Sequence, residues 1–111
     1  MMTLNKYCKE VVSPIFLASF FVLAGCQHNK YAEAYFNRGI AYARLEENQQ
    51  AIKDFDKAIE LNPKLAQPYY NRAIAYLRLG DDRQAIEDYK SAARLGHKRA
   101  QDFLKAKGIG W

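Results

Sequence analysis

Residues 32–65 read AEAYFNRGIAYARLEENQQAIKDFDKAIELNPKL, and residues 66–99 follow without a gap as AQPYYNRAIAYLRLGDDRQAIEDYKSAARLGHKR. Laid one under the other, the two stretches of 34 residues agree at sixteen positions. These include Tyr35/Tyr69, Asn37/Asn71, Arg38/Arg72, Ile40/Ile74, Ala41/Ala75, Tyr42/Tyr76, Leu45/Leu79, Ala51/Ala85, Ile52/Ile86, Asp54/Asp88, Ala58/Ala92 and Leu61/Leu95. A repeat of this period is a helix–turn–helix unit that buries its apolar face by stacking on its neighbour. The residue types agree with that. Gly39, Ala73, Ala51, Ala85, Ala58 and Ala92 are small where one helix must approach its hairpin partner, and a larger side chain there would overpack the contact at about 1–3 kcal/mol. Tyr35, Tyr42 and Phe55, with Tyr69, Tyr76 and Tyr89, are read as the bulky core residues filling the space that the small ones leave.

The pattern resembles the tetratricopeptide repeat (TPR) family, in which an aromatic, a small residue, Tyr, Ala, an aromatic, Ala and Pro recur in order. Here these are Tyr35, Gly39, Tyr42, Ala51, Phe55, Ala58 and Pro63, then Tyr69, Ala73, Tyr76, Ala85, Tyr89 and Ala92, with His97 where the second Pro would stand. The resemblance implies an all-α fold, an α-solenoid of two helix hairpins at 32–65 and 66–99, closed by a capping helix and tail over 100–111. Lys98 to Lys107 supplies that cap: Ala100, Phe103, Leu104 and Ala106 give it an apolar side, and a polar outer face is what a terminal cap needs.

Local signals set the expected helix ends. The first helix of repeat one is expected from about Ala32 to Leu45, with apolar residues at three- and four-residue spacing. Asn48 is the expected N-cap of a second helix over Gln49 to Leu61, stopped by Asn62-Pro63. Pro68 falls in the first turn of the next helix, where a missing N–H costs nothing. Gly80 and Gly96 are placed to close helices, and Asp81-Asp82 to cap the one between them.

Upstream of the repeats, Lys6 and Lys9 precede an apolar run from Ile15 to Gly25 that ends at Cys26. A basic stretch before a short apolar one is the plan of a secretory signal. Even counted from Val11, the run is shorter than the roughly 20 residues a spanning helix needs. Leu23-Ala24-Gly25-Cys26 resembles a bacterial lipobox; an ordinary signal with an incidental cysteine is the alternative. The lipobox implies cleavage of residues 1–25 and a diacylglycerol and an N-acyl chain on Cys26, with no other cofactor. Residues 26–31 then form a lipidated N-terminus and polar tether. Multiple acyl chains anchor stably where one does not. With Cys8 removed, Cys26 is the one thiol left, and lipidation consumes it. By resemblance to Gram-negative lipoproteins, Gln27 rather than Asp after the acylated residue implies the outer membrane, facing the periplasm.

Composition narrows the function classes. The chain has 111 residues, half of them apolar and 26% charged, with a formal charge of +5. The basic residues are not gathered in one motif, and export removes the usual target, so nucleic acid is not an expected partner. Residues 32–65 carry five basic and six acidic groups and residues 66–111 nine and five, an asymmetry that keeps head-to-tail self-association open. No metal-ligand or catalytic constellation is present. His28 and His97 read as solvated residues, and Asp54 and Asp56 as a charged outer face.

In the TPR family the second, fifth, sixth, ninth and thirteenth repeat positions of each first helix face a bound ligand. Carried onto this chain, these are Glu33, Phe36, Asn37, Ile40 and Arg44, then Gln67, Tyr70, Asn71, Ile74 and Arg78. The apolar members and the two amides suit an amphipathic helix or an extended segment with apolar anchors. The alternative is that Phe36 and Tyr70 pack against each other between repeats. The resemblance therefore implies a non-enzymatic, membrane-anchored adaptor for another envelope protein. An accessory subunit regulating an envelope enzyme such as a peptidoglycan hydrolase, or a pilotin-like assembly factor, is the alternative.

Overall fold

The computed structural model describes residues 16–111, and within them the chain is helical with no strand. Five helices follow one another: α1 Phe16–Arg44, α2 Asn48–Leu61, α3 Ala66–Arg78, α4 Asp82–Arg94 and α5 Lys98–Ala106. Each packs chiefly on the next, α1 on α2 through to α4 on α5, with a lighter touch of α1 on α3. That is the contact pattern of an α-solenoid, in which each unit meets only its neighbours. The residues before 16 lie outside the described residues, as does the side chain of Cys26 within α1.

Small residues set how closely the helices approach. Ala51, Ala58, Ala85 and Ala92 are fully buried, as are Ala32, Ala73 and Ala100. Phe55 fills the first hairpin and Leu104 seals the last one, both with no exposed surface. Burying a side chain of that size contributes about 1.5–3 kcal/mol. One cluster, from Ala73 and Ala85 through Tyr89 and Ala93 to Ala100 and Leu104, joins α3, α4 and α5, with Phe103 and Ile109 packed on it. The cap and the start of the tail therefore fold back onto repeat two.

The aromatic series divides in two, which corrects its reading as uniform core. Phe55 and Tyr89 are buried, whereas Tyr35, Tyr42, Tyr69 and Tyr76 are only half-buried. The four tyrosines flank arginines instead: Arg38 lies 5.4 Å from the Tyr35 ring centroid, and Arg72 lies 5.8 and 6.0 Å from those of Tyr69 and Tyr76. The rings of Tyr35, Tyr69 and Tyr76 thus support a cation, and the Tyr69 hydroxyl donates to the Pro63 carbonyl.

Helix ends follow a repeated device. In α1, α3, α4 and α5 the terminal turn closes with an N–H reaching back five residues, as from Glu47 to the Tyr42 carbonyl and from Asp81 to the Tyr76 carbonyl, both at 2.9 Å. This closure needs a left-handed residue just before it. Gly80, Gly96 and Gly108 supply it with φ of 81°, 91° and 69°, and Glu46, in register with Gly80, does so at 61°. Asp81 caps α4 by accepting from the Gln84 N–H at 3.2 Å. Asn48, expected as a cap, is instead the first residue of α2, and its amide donates to the Glu46 carbonyl at 3.2 Å. Its register mate Asp82 likewise opens α4, two residues after the left-handed Gly80.

α1 begins at Phe16 rather than near Ala32, so Gln27 to Lys30, read as a tether, continue the helix. Asn29 at its side accepts from the Asn62 amide at 2.7 Å, which ties this stretch to the end of α2. Among the described residues, no helix is long and apolar enough to cross a membrane.

Candidate functional site

Two buried acids fix how the helices of each hairpin sit. Asp54 and Asp88 occupy the same repeat position and are 5% and 6% exposed. Arg38 closes on Asp54 with two bonds of 2.7 and 2.8 Å, and Arg72 on Asp88 with two of 2.7 Å. Asp54 is thus the buried acid of an ion pair, which corrects its assignment to a solvated outer face. Burial works against the charge on Arg72, but the bonds from Asp88 and then Asp56 outweigh it, so the guanidinium is held above its ordinary range. Such bidentate pairs specify geometry as well as energy. Asp56 remains on the surface, half-exposed, and reaches across the repeat boundary to Arg72 at 2.6 Å.

With the hairpins fixed, α1 and α3 lie side by side and their expected ligand-facing residues fall along adjoining clefts. One cleft of about 370 Å³ is mostly apolar and includes Glu33, Phe36, Gln67, Pro68, Leu95 and His97. A second of about 570 Å³ includes Gln67, Tyr70, Asn71 and the basic Lys98 and Arg99. A third of about 310 Å³ lies between Ile40, Arg44, Asn71, Ile74 and Arg78. Of the ten expected positions, Asn37 alone is outside these three clefts, and it is exposed.

Several of these residues also hold the fold. Phe36 stands 5.9 Å from Phe55, centroid to centroid, and Tyr70 stands 5.6 Å from Tyr89. Each aromatic thus packs within its own hairpin, and no Phe36–Tyr70 pair forms between repeats. Asn71 donates to the Gln67 carbonyl at 3.0 Å, so its amide oxygen is what it offers outward. Arg78 donates to the Ala43 carbonyl across the repeat boundary, also at 3.0 Å.

His97, not among the expected positions, lines two of the clefts. It was read as a solvated turn residue, yet it is half-buried, stacks on Tyr70 at 4.2 Å and caps α5 by accepting the Ala100 N–H on Nδ1 at 3.3 Å. Burial, helped by nearby Arg99, lowers its pKa, so the imidazole is held neutral as an acceptor. The available signal was its place three residues ahead of Ala100 at the start of an apolar-periodic stretch.

Among the described residues, no group of three His, Cys, Asp or Glu side chains could hold a metal ion. What the clefts offer is apolar floor, amide groups and a basic rim, which is the chemistry of peptide recognition.

Comparison with known families agrees with this geometry. A tetratricopeptide repeat family model matches residues 32–65, which are repeat one to the residue. A second model, also described as tetratricopeptide repeat, matches residues 55–87, from the middle of α2 into α4. The second match is offset from the first and straddles the boundary between the two repeats. Together the two cover about half of the chain, and the chain belongs to the tetratricopeptide repeat family. Repeats of this family are in general modules of protein–protein interaction. No curated protein matches the chain.

Proposed function

We propose that this protein is a lipid-anchored adaptor of the bacterial envelope, whose α1–α3 groove holds a segment of another envelope protein near the membrane. The observation that carries the interaction half of the reading is the alignment of nine expected ligand-facing residues along three adjoining clefts. An apolar floor at Phe36, Ile40, Tyr70 and Ile74, with Lys98 and Arg99 at the rim, favours a segment with apolar anchors and acidic flanks. The anchor half rests on the Leu23–Cys26 motif. Cleavage before Cys26 would leave an acylated residue on the N-terminal part of α1, with the outer membrane as the location that Gln27 favours.

Two measurements test the two halves separately. Intact mass of protein extracted from membranes should show loss of residues 1–25 and the added mass of acyl chains; an unprocessed chain in which Cys26→Ala stays membrane-bound removes the anchor. Crosslinked pull-down from envelope fractions should lose its partner in the double variant Asn37→Ala with Asn71→Ala, whose exposed or half-exposed amides are not core. Retention of the partner by that variant and by Ile40→Asp with Ile74→Asp removes the groove.

A further inference from the structure

The inner surface of the groove is not the only face prepared for a helix. Within the chain, one side of α3 is laid against α2: the Tyr69 hydroxyl donates to the Pro63 carbonyl at 3.2 Å and Arg72 bonds Asp56 at 2.6 Å. Leu79 continues this side, sharing a cleft with residues 46–50 at the start of α2. The same stripe exists on α1. Tyr35, Arg38, Tyr42 and Leu45 are the register mates of Tyr69, Arg72, Tyr76 and Leu79, and Tyr31 extends the stripe by one turn. Spacings of three and four residues put all five on one helix face.

On α1 nothing among the described residues lies where α2 lies on α3. The exposures record this: the Arg38 side chain is 60% accessible against 18% for Arg72, and Leu45 is 68% exposed against 46% for Leu79. Tyr31 is 56% exposed as well. Arg72 divides its donors between Asp88 of its own hairpin and Asp56 of the preceding helix, whereas among the described residues Arg38 bonds Asp54 alone. Arg38 therefore holds a guanidinium edge free toward the place where a carboxylate would come.

We propose that the Tyr31–Leu45 stripe of α1 is a second docking surface, for an amphipathic helix of another protein laid as α2 is laid on α3. Its occupant carries a carboxylate in the Asp56 role and apolar residues one turn to either side, as Ile52 and Ile59 flank Asp56. A second copy of this chain does not supply that face. Stacked head to tail, it would offer the edge that α5 already covers, where Leu104 is fully buried, and it would present Lys90 in register with Asp56, a like charge for Arg38. Paired antiparallel about a two-fold axis, Arg38 at the middle of the stripe would oppose its own copy. The chain's residues 1–15, outside the described residues, hold one carboxylate, Glu10, directly beside Lys9, and with Lys6 the segment is net basic against the arginine.

The test uses a labelled peptide of residues 46–63 with Phe55→Gln, a change that removes its ability to exchange with the buried α2. Fluorescence anisotropy against the full chain should show saturable binding. An Asp56→Lys peptide should bind about tenfold more weakly or worse, since a like charge replaces the complementary one. Tyr31→Asp with Leu45→Asp in the protein, at two exposed positions that leave the Arg38–Asp54 pair intact, should weaken binding comparably. Asn37→Ala with Asn71→Ala should leave it unchanged, which separates this surface from the groove. Absence of saturable binding, or equal binding of the Asp56→Lys peptide, overturns the proposal. A dimer in sedimentation that Leu45→Asp dissociates overturns it too, by putting a second copy on the stripe.

Discussion

Gly39 faces the ring of Phe55 with no room for a methyl group: a Cβ at Gly39 would lie 2.6 Å from Phe55 Cε1 and 2.8 Å from Cδ1. Phe55 is fully buried and cannot swing away. Ala at a helix interior is worth about 1 kcal/mol over Gly, but overpacking a rigid contact costs about 1–3 kcal/mol. Gly39→Ala is therefore expected to lower stability in urea unfolding despite the better helix former, and Gly39→Ala with Phe55→Leu to recover most of the loss.

Glu46 gives the opposite outcome. It holds the left-handed turn that Gly80 holds in the second repeat, at φ 61° against 81°. A side chain there costs roughly 1–2 kcal/mol relative to glycine, partly offset by glycine's greater unfolded-state freedom. Glu46→Gly should raise stability by about 0.5–1 kcal/mol, and Gly80→Ala should lower it by a similar amount. Equal melting of Glu46→Gly and the parent chain would show that the turn is not strained.

The Arg72 network should prove far more costly to break from one end than the other. Arg72→Ala leaves Asp88 buried without its partner, a loss of about 3 kcal/mol. Asp56→Asn removes only a surface contact, 52% exposed on the acid's side, and should cost no more than about 1 kcal/mol. Chemical denaturation of the two variants side by side reads the difference.

His97 makes the cap sensitive to acid. Its pKa is lowered below the ordinary 6.5. The unfolded chain therefore takes up the proton first, and stability is fully present above 6.5 and falls as the pH drops below it. Protonated Nδ1 becomes a donor and can no longer accept the Ala100 N–H. Melting of the full chain should decline from pH 7 toward pH 5, and His97→Asn, which keeps an acceptor without titrating, should flatten that decline.

How much of this could be read beforehand depends on whether a residue acts locally. The repeat period, the Gly80 and Gly96 turns, the Asp81 cap and the first-turn place of Pro68 each rest on short-range backbone chemistry, and each is found as expected. The phase of the expected groove positions on α1 and α3 follows from the period, and nine of the ten line clefts there. The burial of Asp54 was not legible, since an acid beside Lys53 in a helix reads as surface until its partner sixteen residues away is known. The signal was present in the repetition of Arg38 with Asp54 as Arg72 with Asp88. Glu46 was hidden for a related reason: its residue type argues against a left-handed turn, and only its register with Gly80 points to one. The continuation of α1 back to Phe16 has no local marker, because no breaker separates Gln27–Lys30 from the repeat.

In the proposed function the α1–α3 groove is where this protein holds its partner. A photo-crosslinking residue placed singly at Gln67, which borders two of the clefts, and at exposed Lys53 of α2, outside them, tests it in intact envelopes. A discrete crosslinked protein is expected from position 67, lost when Ile40 and Ile74 are changed to Asp, and none of that species from position 53. The same species from position 53, or its persistence at position 67 in the Ile40→Asp, Ile74→Asp background, would contradict it.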